Sequence, residues 1–223
     1  MRDFIGRKGS SMGISYRKYK SYEDYKRHQA SKLDKLVKKK KNRWNNKVRS
    51  KNVEKRAKKF EKRLRPILEY VKNKKVLCIG ARNGAEVKAF KNLGIENSIG
   101  IDLNPGENNP YVIKGDFNYT PFKNDSFDVI YFNSIDHIYK IEIFSREMHR
   151  ILKENAYLII EEAHVSSDDN KKRDYISNPK KYESFSCSSV KDIENGLKEF
   201  VLIETMKAPY DKKRILLIFK NRI

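Results

Sequence analysis

The sequence predicts an α/β protein: a mostly parallel seven-stranded sheet with helices on both faces, closed by an antiparallel C-terminal hairpin and preceded by a basic helical extension. Three observations carry that prediction. From Lys74 onward, short apolar runs alternate with amphipathic segments, the pattern of parallel strands joined by crossover helices. The runs are apolar on consecutive residues, as strands buried on both faces must be. The charge is also divided. Residues 1–75 hold 28 Lys+Arg against 7 Asp+Glu, and residues 76–223 hold 22 of each, so the whole net charge of +21 lies ahead of the sheet.

The elements follow in order. Residues 1–20 carry three glycines, three serines and many charges, so they are expected to be flexible or ordered only by docking. Residues 22–49 are expected to be helical, with Tyr22, Tyr25, Leu33, Leu36 and Val37 as apolar anchors. Residues 52–72 repeat apolar side chains at three- and four-residue spacing from Val53 to Leu68, a second helix that Pro66 should break or kink. KKVLCIG, ending at Gly80, is the first strand of the sheet, and GAEVKAFKNLG is a helix closed by Gly94. NSIGIDLN, YVIKGDF and SFDVIYFNS are the next three strands. IEIFSREMHRILK places Ile141, Phe144, Met148, Ile151 and Leu152 on one helix face. AYLIIEEA is a strand, VKDIENGLKEF a helix, and FVLIETM and RILLIFK are strands joined by APYDKK. That connection is too short for a crossover, so the last pair is antiparallel. The boundary is placed between a basic extension, 1–51, and an α/β domain, 52–223.

Composition excludes several classes. Cys78 and Cys187 are the only cysteines and form neither a disulfide framework nor a zinc pattern, so no metal is expected. No apolar run approaches a membrane span, and a cytoplasmic, soluble protein is expected. The G-x-G-x-x-G fingerprint of dinucleotide-binding proteins is absent.

Parallel sheets bind ligands at the carboxyl ends of their strands, so candidate site residues lie there. The first strand ends in Gly80-Ala81-Arg82-Asn83-Gly84, a turn in which glycine lets the backbone approach a ligand. The second ends in Asp102-Leu103, where a carboxylate can accept from both hydroxyls of a ribose. The third ends in Gly115-Asp116-Phe117, an acceptor for an exocyclic amine beside an aromatic face. The fourth ends in Asn133-Ser134-Ile135-Asp136-His137. Together these describe a pocket for an adenosine-containing ligand.

VLCIGARNGAEV, IGIDLNPG, KGDFNYTPF, FDVIYFNSIDHIY and REMHRILKENAYLIIE resemble, in order and spacing, the motifs of class I S-adenosylmethionine-dependent methyltransferases of the type 11 kind, which have a Rossmann-like fold. The resemblance implies S-adenosyl-L-methionine as cofactor. It implies that Gly80, Ala81, Arg82 and Gly84 flank the methionine end, that Asp102 and Leu103 hold the ribose, that Asp116 and Phe117 meet the adenine, and that Asn133 edges the transfer site. Two positions depart from the family. Cys78 stands where it usually has Asp or Glu, and Arg82 where it has a glycine; Arg82 is expected to bind the cofactor's carboxylate.

His137 is the candidate general base, with Asp136 orienting it or acting itself. The competing expectation is that Asp136 caps the next helix and His137 is an ordinary histidine. His164 is a second candidate. The Asn/Asp-Pro-Pro-aromatic signature of base-amine methylation is missing, which favours an oxygen acceptor. SYEDYKRHQASKLDKL is similar to N-terminal segments of methyltransferases in surface-glycan pathways, implying that Tyr22, Tyr25, His28 and Gln29 close over a glycan hydroxyl. Residues 164–189 are expected to be a long loop beside the acceptor. Lys and Arg interleaved with tyrosines and Trp44 also fit a polyanion, RNA or anionic glycan. The alternatives are an RNA methyltransferase using this arm, and a catalytically silent nucleic-acid-binding protein on the same fold.

Overall fold

All four residues of the strand Val76–Ile79 are buried, and their side chains divide between two cores. Leu77 and Ile79 join one apolar cluster and Val76 and Cys78 the other, because successive strand residues point to opposite faces. The sheet is therefore the middle layer of three. The computed structural model describes residues 13–38, 46–106, 108–162, 179–211 and 214–222, and for 32–38 and 46–51 the backbone alone.

The elements are β1 (Ile14–Tyr16), α1 (Tyr22–Lys38), α2 (Asn46–Leu64), a 3-10 turn at Arg65–Ile67, α3 (Leu68–Val71), β2 (Val76–Ile79), α4 (Ala85–Asn92), β3 (Ser98–Asp102), β4 (Val112–Lys114), β5 (Phe127–Phe132), a 3-10 turn at Ile135–His137, α5 (Ile141–Ile151), β6 (Leu152–Glu162), β7 (Phe185–Cys187), α6 (Val190–Gly196), β8 (Phe200–Lys207) and β9 (Ile215–Asn221). The seven strands expected from the sequence form one sheet in the order β4-β3-β2-β5-β6-β9-β8. β2 pairs in parallel with β3 and β5, β3 with β4, and β5 with β6, while β9 is antiparallel to both β6 and β8. Strand order reverses at β2, and a crevice opens there between the ends of β2 and β5.

One face is covered by α5 and α6, the other by α2 and α4. α2 stays on the sheet through apolar Ala57, Phe60 and Leu64, all buried, and through Arg63, whose Nη2 lies 2.7 Å from Oε1 of the buried Glu161. Pro66 ends α2, as expected: it opens the 3-10 turn that leads into α3. The expected boundary between residues 51 and 52 falls within α2.

The segment 13–31 is docked. β1 pairs antiparallel with β7, Ile14 opposite Cys187 and Tyr16 opposite Phe185, a two-stranded sheet that the sequence analysis did not anticipate. Asp192 fastens it: Oδ1 accepts from the Gly13 amide at 2.7 Å, and Oδ2 accepts from Ser189 N at 2.9 Å and Ser188 Oγ at 2.8 Å. Of the expected 164–189 loop, residues 164–178 lie outside the described residues, His164 among them; the rest holds β7. Trp44 and the side chains of Leu33, Leu36 and Val37 also lie outside them.

Candidate active site

A cleft partly open to solvent lies at the carboxyl ends of β2, β3 and β5. It is lined by Gly80, Arg82, Asp102, Leu103, Asn104, Phe117, Ser134 and His137, together with Gln29 and Ala30 of α1. Residues expected to hold a cofactor and a residue expected to move a proton thus share one cavity.

The turn after β2 is built from left-handed residues. Gly80, Arg82 and Gly84 have φ of 65°, 48° and 83°. Gly84 allows no side chain, since a Cβ there would lie 2.5 Å from Cβ of Tyr111. Arg82 holds a conformation that costs a non-glycine residue roughly 1 kcal/mol. Its amide is pinned by Asp102, whose Oδ2 accepts it at 2.9 Å, while Oδ1 accepts from Asn104 N at 2.8 Å. Two backbone donors therefore fix the Asp102 carboxylate at the cleft, each oxygen keeping a lone pair for a ligand hydroxyl. Ala81 is buried and packs beneath the turn.

Asp116 is engaged by α1. Its Oδ2 accepts from Tyr22 OH at 2.7 Å, and its Oδ1 from the backbone and side-chain amides of Asn118 at 2.9 and 3.1 Å. Burial first, then the Asp116 carboxylate, pushes the Tyr22 hydroxyl far above its ordinary value, so Tyr22 stays a donor. Phe117 is buried against Phe132 and Phe144 and reaches the cleft at its edge.

His137 ends the 3-10 turn after β5, with Nε2 3.7 Å from Asp136 Oδ2. Tyr25 braces it from behind: wholly buried, it donates to the His137 carbonyl at 3.0 Å and accepts from Asn118 Nδ2 at 3.0 Å. Helix α5 starts after Lys140 with no side-chain cap, so Asp136 does not cap it. Rings of Tyr22, Tyr25 and Tyr139 pack in tilted and edge-on contacts, their centroids 5.0–5.4 Å apart, and seat α1 on the sheet. Gln29 reaches the cleft, whereas His28 is taken up by Tyr19 OH at 2.7 Å and the Lys181 carbonyl at 2.8 Å.

One site feature was missed by the sequence analysis. Glu86, in the first turn of α4, is 4% exposed, and its Oε1 accepts from Asn133 Nδ2 at 3.2 Å. Burial raises its carboxyl above the ordinary value, against hydrogen bonds and the charge of Arg56. The Glu86 charge also acts on the buried Cys78 thiol, so a carboxylate stands near the position where Cys78 fails to supply one. In sequence, a glutamate in a first helical turn is explained by the helix dipole alone; only its burial marks it out. Among the described residues no group of side chains could hold a metal ion, and no helix is long and apolar enough to cross a membrane.

Residues 77–160 match the family model of a methyltransferase domain. No curated protein matches the chain. Among solved structures, a SAM-dependent methyltransferase from Aquifex aeolicus is similar over 74% of this chain and 96% of its own, at 17% identity and a TM-score of 0.53. A protein from Pyrococcus horikoshii OT3 is similar over 74% and 91%, at 18% identity and 0.55. A SAM-dependent methyltransferase from Mesorhizobium loti is similar over 71% and 95%, at 13% identity and 0.53. These likenesses establish the fold, and the family match falls on the strands and turns that build the cleft. Over residues 77–160 the chain is similar to the methyltransferase-domain family, and the solved structures it resembles share its fold.

Proposed function

We propose that this chain is an S-adenosylmethionine-dependent methyltransferase that acts on a hydroxyl of a glycan or small molecule. The observation that supports the proposal is the shared lining of the cleft, which brings Gly80, Arg82, Asp102 and Leu103 together with His137 and Gln29. The cofactor supplies an electrophilic methyl group on a sulfonium. The protein's part is to hold the acceptor oxygen in line with that methyl and to keep water out. Asp102 accepts from the ribose hydroxyls, and Asp116 with Phe117 borders the adenine. Asn133 sits beside Ser134 at the transfer edge, and the Arg82 guanidinium takes the cofactor's carboxylate. His137 accepts the hydroxyl proton as the bond forms, with Asp136 beside it to balance the imidazolium. Gln29 and the tyrosine-seated α1 form the acceptor side, where a sugar would meet polar and aromatic groups. The test is methyl transfer to a panel of glycans with His137→Gln and His137→Ala alongside. The proposal expects a loss of 10²–10⁴-fold in kcat, the usual worth of a general base, with cofactor binding retained. Unchanged turnover in both variants would remove His137 from the chemistry.

A second reading, an RNA acceptor or other polyanion held by the basic extension together with α2, is favoured by one observation. Lys55, Lys58, Lys59 and Lys62 of α2 are all exposed, and four phosphate contacts would give a salt slope of about −3 on single-stranded RNA. A flat salt dependence would leave the lysines as a solvated helix face.

A further inference from the structure

Two acceptor atoms at the turn between β2 and α4 are buried without a hydrogen-bond partner among the described residues: Asn83 Oδ1 and Glu86 Oε2. Buried polar atoms are paired in almost all folded proteins, and an exception calls for an explanation. A carboxylate is the costliest group to leave so. Glu86 is tied to the cleft by one relay: Ser134, on the cleft wall, donates from Oγ to Asn133 Oδ1 at 3.0 Å, and Asn133 Nδ2 donates to Glu86 Oε1 at 3.2 Å. Positive charge stands on the same side of the sheet. Arg82 lines the cleft, and Arg56 of α2, partly buried, feels the charges of both Glu86 and Arg82. A lone carboxylate with guanidinium groups nearby is the complement of a zwitterion, an ammonium and a carboxylate on one carbon. The methionine end of S-adenosylmethionine is such a group.

We propose that Glu86, assisted by Asn83, receives the α-ammonium of the cofactor. The assignment rests on the cleft being the cofactor site. An ammonium brings three donors and a full charge, enough to satisfy both orphaned acceptors and to neutralise the buried carboxylate. The position left neutral by Cys78 is thereby served from the next helix, and Glu86 is a binding residue whose partner arrives with the ligand.

The experiment is calorimetric titration of the wild-type protein and Glu86→Gln with two ligands. S-adenosylhomocysteine carries the amino-acid end; 5′-methylthioadenosine keeps the adenosine and sulfur but lacks it. The expected result is that the wild type binds both, and that Glu86→Gln weakens S-adenosylhomocysteine at least tenfold while 5′-methylthioadenosine is unchanged. Should Glu86→Gln not fold, Asn83→Ala is compared in the same way, with the same selective loss expected. Unchanged S-adenosylhomocysteine affinity, or equal weakening of both ligands, overturns the role of Glu86 and leaves the cofactor site standing. Failure of the folded wild type to bind either ligand overturns both.

Discussion

At the scale of single residues, burial and hydrogen bonding separate the groups that hold the site from those that act in it. Tyr25, expected to close over the acceptor, is wholly buried instead and fixes the carbonyl of the candidate base. Tyr25→Phe removes that bond and leaves Asn118 Nδ2 one acceptor short, so stability should fall by about 1–3 kcal/mol. The displaced His137 should lower kcat roughly tenfold or more, with the KM for the cofactor little changed; steady-state kinetics on the folded variant separates the two effects. Glu86 makes the opposite prediction for the ligand-free protein. Its carboxyl is raised by burial, so the folded state binds more protons than the unfolded state, and stability falls as pH rises from the ordinary glutamate value through the folded one. Glu86→Gln should therefore be no less stable than the wild type at neutral pH, and thermal melts across pH would show any advantage vanishing in acid. A variant that melts well below the wild type at neutral pH would mark Glu86 as a structural hydrogen-bond acceptor. The placing of Gly80 and Asp102 at strand ends was legible in the sequence, because apolar runs mark where strands stop. Glu86 and Tyr25 were not assigned these roles, since an acid at a helix start and a tyrosine in a charged helix look ordinary until their burial is known.

At the scale of elements, the short sheet of β1 and β7 shows what local pattern misses. Each strand has three residues, far too short for a periodic signal, and the two are set opposite one another by contacts across most of the chain. Asp192 holds their junction and caps α6, in a reciprocal box with Ser189. Burial would raise its carboxyl, but hydrogen bonds from Ser188, Ser189 and Gly13 outweigh that and hold it below the ordinary value. A depressed carboxyl stabilises the fold above its unfolded value, and that stability is lost as pH falls through the folded one. Asp192→Ala should cost about 1–2 kcal/mol as a lost cap and should free the Gly13 amide. Hydrogen exchange would then quicken at residues 13–17 before it does in the central strands. Unchanged protection there would mean that the β1–β7 pairing stands without Asp192.

At the scale of the whole molecule, the seven-stranded frame and its antiparallel end were legible because buried parallel strands are apolar throughout and a six-residue connection admits one direction only. Tyr22, Tyr25, His28 and Gln29 were expected to close over the acceptor; of these Gln29 lines the cleft, while Tyr25 is wholly buried, Tyr22 is bonded to Asp116 and His28 to Tyr19 and the Lys181 carbonyl. What composition could not show is how charge and packing divide within the extension. Its first helix is a tyrosine-seated wall, and its second is a sheet-covering helix bound through Arg63. Glu161 is the hub of that attachment, accepting from Arg63, Tyr131 and Arg214. Removing it takes that acceptor from the buried Tyr131 hydroxyl and the partly buried Arg63 guanidinium, so Glu161→Ala should lower the unfolding free energy by about 3–5 kcal/mol in urea denaturation. A loss below 1 kcal/mol would show that apolar contacts alone hold α2.

The central claim is that the ends of β2, β3 and β5 form a cofactor site anchored by Asp102. The most direct measurement is titration of S-adenosylmethionine into the purified protein by calorimetry, beside Asp102→Ala. Saturable binding that the substitution abolishes, in a variant that melts like the wild type, is the predicted result. Equal binding by both proteins, or none by a folded wild type, would contradict it.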